Sequence, residues 1–94
     1  MSDGPWDTTD ETPRRIGSVR SVRVDKQTVV IPRRLLVTLA AYVEEGSHKA
    51  GAYRMGISES TSRQRVSLLM RLVGARTAAE AVWLLREELL GRRA

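Results

Sequence analysis

Ninety-four residues, 41% hydrophobic and 29% charged, are the size of one small domain rather than two. With no cysteine and a single histidine, disulfide frameworks, thiolate metal sites, cysteine nucleophiles and two-histidine metal motifs are excluded. The longest uncharged apolar stretch, residues 35–43, falls far short of the roughly 20 residues that span a bilayer.

The formal charge of +5 is unevenly spread. Residues 1–13 carry Asp3, Asp7, Asp10 and Glu11 and no basic residue, whereas the remainder sets all 16 Lys and Arg against seven acids, a net +9. A body this basic suits a polyanionic partner. Residues 1–15, rich in Gly, Pro, Thr and Asp, read as a disordered acidic tail. The tail has no apolar stretch of the kind a secretory signal needs, so a soluble, cytoplasmic domain without membrane contact is expected.

Residues 16–31 read as a β-ribbon or hairpin: Val22 and Val24 alternate with Arg23, a polar Asp25-Lys26-Gln27 follows, and Val29-Val30-Ile31 resumes the β-branched pattern. From residue 32 to residue 94 the pattern is helical. Pro32 is suited to open a first helix ending at Glu45, with Leu35, Leu36, Leu39 and Val43 on its apolar stripe and Gly46 as its stop. A second spans about Ser47 to Met55, stopped by Gly56 and weakened by Gly51, which costs about 1 kcal/mol relative to Ala. A third runs from Glu59 to Val73 between a Ser58 cap and Gly74. The fourth, Ala78 to Leu90, opens on the capping box Thr77-Ala78-Ala79-Glu80.

At 100° per residue the third helix sorts into two faces. Val66, Leu69, Met70 and Val73 must face a core, while Ser60, Arg63, Gln64, Ser67 and Arg71 face away. Arg matches the O6 and N7 acceptors of guanine in the major groove, and Gln matches the N6 and N7 of adenine. The amino end of this helix, Ser58 to Thr61, offers backbone N–H groups and hydroxyls of the kind that hold a phosphate. A short helix, a tight Gly56-Ile57-Ser58 turn and a polar-faced helix together make a helix-turn-helix pattern.

From Glu45 to Leu85 the chain resembles the DNA-binding domain of LuxR-type (GerE-like) bacterial transcription regulators. The resemblance is carried by Gly56-Ile57-Ser58-Glu59-Ser60-Thr61, by Arg63-Gln64-Arg65-Val66, and by Gly74-Ala75-Arg76 before Thr77-Ala78-Ala79-Glu80. With the first helix it covers about residues 33–90. It implies a mainly α, four-helix helix-turn-helix bundle behind a short N-terminal ribbon. It also implies a stand-alone, nucleoid-associated regulator that binds double-stranded DNA as a homodimer, with no cofactor and room for a second regulatory protein as partner. The family's base-reading positions fall on Arg63, Gln64 and Ser67. Its phosphate contacts fall on or near Lys49, Ser60, Thr61, Arg65 and Arg71, and its dimer contacts on the last helix at Trp83, Glu87 and Leu90.

The chain departs from that family in three places. The stretch between Gly46 and Gly56 is one residue short, Gly51 stands at a buried branched position, and Ser62 stands at a buried valine. Each lost large side chain costs on the order of 1–4 kcal/mol, so either the second helix moves or something fills the gap, for which the Val22–Ile31 ribbon is a candidate. Leu68 falls on the otherwise polar side of the third helix.

Two other readings compete. In a ribbon-helix-helix DNA binder, Thr28–Ile31 would pair with a partner subunit's strand. In a protein-interaction module derived from a helix-turn-helix, exposed Leu68 would serve a protein partner. An enzyme is not expected, since His48 is the only imidazole and no orienting carboxylate is evident beside it.

Overall fold

The computed structural model describes residues 19–91, and the acidic tail lies outside them. Two antiparallel strands, β1 (Val19–Val24) and β2 (Gln27–Pro32), are joined by Asp25-Lys26, with Val22 opposite Val29 and Val24 opposite Gln27. Asp25 takes φ +56°, a left-handed conformation that short polar side chains tolerate. Five helices follow: α1 (Arg33–Glu45), α2 (His48–Met55), α3 (Glu59–Val73), α4 (Ala78–Leu84) and α5 (Arg86–Gly91). The domain is therefore mainly helical behind a short hairpin.

The helix ends follow from local chemistry. Ser47, Ser58 and Thr77 each accept a backbone N–H three residues on, at 3.0 Å in every case. Gly46, Gly56 and Gly74 close α1, α2 and α3 at positive φ. Glu80 reaches back past the cap and accepts the N–H of Arg76, one residue before Thr77, at 2.8 Å.

The inward faces of the hairpin and helices close one core. Val22, Val24 and Ile31 pack with Leu35, Leu36 and Leu39 of α1, Val66, Leu69 and Val73 of α3, and Ala81 and Leu85 from the chain's end. The hairpin thus covers α1 and α3 and is an integral part of the fold. It does not fill the α2 region, where the sequence suggested a gap. The β2 strand pairs along one edge with β1 of the same chain.

Gly51 is read differently once α2 is in place. A Cβ there would lie 3.1 Å from the backbone of Ala41 and Tyr42, so the glycine lets α2 seat directly on α1. That seating rotates the buried face of α1 toward Thr38 and Ala41, both buried, and leaves Val43 exposed rather than on the apolar stripe.

The expected single helix from Ala78 to Leu90 is two. Leu85, at φ −106° and ψ 14°, interrupts it although the Leu85 and Leu89 N–H groups still reach residues four back. The Arg86 guanidinium donates at 2.6 Å to the Trp83 carbonyl, the acceptor that residue 87 would use in an unbroken helix. The kink buries Leu85, and an Arg20–Glu88 ion pair ties α5 to β1.

Candidate nucleic-acid interface

Helix α3 is held from behind by Ser62, Val66, Leu69 and Val73, all buried. Its opposite side carries Ser60, Arg63, Gln64, Ser67 and Arg71, all exposed, with Leu68 among them at 39%. The three expected base readers, Arg63, Gln64 and Ser67, therefore share one outward face with Ser60 and Arg71. Among the described residues the side chains of Gln64, Ser67 and Arg71 have no hydrogen-bond partner within the chain.

Arg63 is not free. Its guanidinium donates to the Glu59 carboxylate at 2.5 Å, one turn back. The amino end of α3 is likewise more occupied than the sequence suggested. Ser58 Oγ accepts the Thr61 N–H and donates to Thr61 Oγ1 at 2.9 Å, so the Thr61 hydroxyl and amide are both used in the cap. Glu59 adds a negative charge on the same turn. Such a charge is favourable to the helix dipole and unfavourable to an incoming phosphate.

Lys49 lies exposed on the first turn of α2 and lines a shallow depression with Tyr53 and Glu59, at the start of α3. Arg65 stands apart from the other expected phosphate ligands. It is half-buried and turned toward α1, where it approaches Thr38 Oγ1 at 3.5 Å. The Thr38 hydroxyl itself donates to the Arg34 carbonyl at 2.6 Å.

Ser62, at the position where the resembling family carries a buried valine, holds a polar joint. His48 Nδ1 lies 2.9 Å from Ser62 Oγ, and the imidazole stacks on Tyr42 at 4.2 Å between ring centres. One side chain thereby connects α1, α2 and α3. Burial, and then the Arg63 guanidinium, hold the imidazole below its ordinary value, with Glu59 opposing. The signal was present in the sequence: a serine on the core-facing side of α3 requires a polar partner. The Glu59–Arg63 pair was equally legible from its four-residue spacing.

Trp83, Glu87 and Leu90 are all exposed on α4 and α5, Trp83 and Leu90 at more than 60%. The Arg86 guanidinium covers one face of the indole at 3.8 Å. Among the described residues no group of three His, Cys, Asp or Glu is placed to hold a metal ion, and no helix is long and apolar enough to cross a membrane.

The fold and this surface define a mainly helical domain with an N-terminal hairpin and an exposed polar helix. Compared with protein-family models, with curated proteins and with solved structures, the chain gives no match.

Proposed function

We propose that this chain is a sequence-specific duplex-DNA-binding regulator of transcription, built on the four-helix LuxR-type plan with α4 and α5 in place of its last helix. The observation that carries this reading is the outward face of α3, where an arginine, a glutamine and two serines stand beside Arg71 on a helix anchored by its other side. In the major groove, Arg63, Gln64 and Ser67 read base edges. Lys49, Ser60 and Arg71 meet phosphates that set register, with Thr61 and Arg65 as outer contacts. Two copies act together through Trp83, Glu87 and Leu90, at the nucleoid in the cytoplasm. No cofactor takes part, and the protein is not an enzyme.

Selection from a random duplex pool, at two salt concentrations, tests the reading. Enrichment of a defined site is the expected result. Salt-sensitive binding with no enriched site would make α3 a non-specific phosphate binder.

A second reading draws on Leu68, exposed in the middle of the α3 face beside Leu72 at 37%. In that case α3 docks a protein, and failure to bind any duplex together with capture of a defined regulator or polymerase subunit would favour it.

A further inference from the structure

The hairpin does more than cover the core. Its tip, residues 24–27, and the end of α3, residues 71–74, form the two walls of one shallow groove. Lys26 and Arg71 therefore rise on the same surface, beside the carboxy-terminal turn of the helix. Both are exposed, and among the described residues neither side chain has a hydrogen-bond or ion-pair partner within the chain. At the other end of α3, Lys49 occupies the corresponding position beside Glu59. Cationic side chains thus flank both ends of the outward face.

We propose that the β1–β2 turn is a second duplex-contacting element, in which Lys26 acts with Arg71 to hold the phosphodiester backbone at the edge of the groove that α3 enters. This rests on the reading of α3 as the helix that meets DNA. The physical basis is reach and charge. The major groove is about 12 Å wide and admits a single helix, so whatever protrudes beside the end of that helix meets the bordering phosphates. A turn between two strands protrudes in this way, and its position is fixed because Val22, Val24 and Ile31 are buried in the core. The contact carries no sequence information and sets orientation. Asp25 opposes it: the left-handed turn position is occupied by a carboxylate beside Lys26, which offsets part of the tip's attraction for phosphate.

Two substitutions of opposite expected effect test the proposal, on the duplex recovered by selection and on random duplex of equal length. Lys26→Ala should weaken binding to both severalfold and lower the slope of log affinity against log salt by about 1, without altering the selected site. Asp25→Asn removes the carboxylate while keeping a residue that tolerates positive φ, and should strengthen binding to both. A gain of affinity cannot come from misfolding. Arg54→Gln is the control for net charge, since Arg54 is already paired with Glu44 and Glu45 at 2.8 and 3.0 Å. Wild-type affinity and slope in both Lys26→Ala and Asp25→Asn, with binding lost in Arg71→Ala, would overturn the role of the turn and leave the role of α3 standing. An equal loss of slope in Arg54→Gln would also overturn it. Absence of any duplex binding by the unmodified chain would overturn both.

Discussion

Glu59 and Arg63 face each other across one turn of α3, and their contact sets the terms on which the helix can meet DNA. An exposed pair of this kind is worth at most about 1 kcal/mol, so Arg63 can exchange its carboxylate for a guanine edge at small cost. Arg63→Ala should cost about 1–3 kcal/mol on the selected site and relax specificity there; equal loss on random duplex would show that it only neutralises phosphate. Glu59→Gln frees the guanidinium and removes a negative charge from the phosphate-facing turn. It should tighten duplex binding severalfold at low salt and much less at high salt, while lowering folding stability by no more than about 1 kcal/mol. Titrations at two salt concentrations beside a urea unfolding curve measure both. Behind this face, His48 links protonation to the fold. Its imidazole is held below 6.5 in the folded chain, so the unfolded chain binds the proton more tightly. Stability is then full above that ordinary value and falls as the pH drops below it toward the folded value. Urea midpoints at pH 7.5 and pH 5.5 should show a loss in the natural chain and a smaller one in His48→Gln, which keeps a hydrogen-bonding group beside Ser62 but cannot be charged.

Among the elements, the contact between α1 and α2 departs from what the sequence implies. Glycine lowers helix propensity, and read along the chain Gly51 looks like a defect. Only when α2 lies on α1 does the absent side chain become the condition for close approach. Gly51→Val, which restores a branched residue of the kind the resembling family carries, should therefore destabilise the fold by about 1–3 kcal/mol through overpacking against backbone. A gain in stability on urea unfolding would show instead that α2 has room to move. Features governed by near neighbours were legible: the Ser and Thr caps, the glycine stops, the alternation of Val22 and Val24, and the two faces of α3. Features set by distant partners were not. Nothing in the repeat of residues 78–90 announces the break at Leu85, where the Arg86 side chain takes up the Trp83 carbonyl. Val43 follows its period yet lies exposed, because the packing of α2 turns α1 toward Ala41.

At the scale of the whole molecule, the outward face of α3 follows from helical period and composition, whereas the neighbours of that face do not. The proximity of Lys26 to Arg71 depends on the hairpin folding over α1 and α3, a long-range consequence of burying Ile31. Size then constrains how two copies could share an operator. The described residues measure 41 × 34 × 27 Å, and one helical turn of duplex is about 34 Å. Two copies reading successive major grooves on one side of the duplex must therefore come close to contact. Trp83 and Leu90, left exposed on α4 and α5, supply apolar surface for that contact, and the Arg86 guanidinium over the indole supplies a polar edge. The selected site should accordingly contain two half-sites about 10 base pairs apart. Trp83→Ala should leave affinity for a single half-site unchanged and abolish the preference for the paired site. Mobility-shift titrations on single and paired half-sites measure the difference directly. A paired-site preference that survives Trp83→Ala would move the subunit contact away from α4 and α5, because the indole is the largest apolar group those helices leave uncovered.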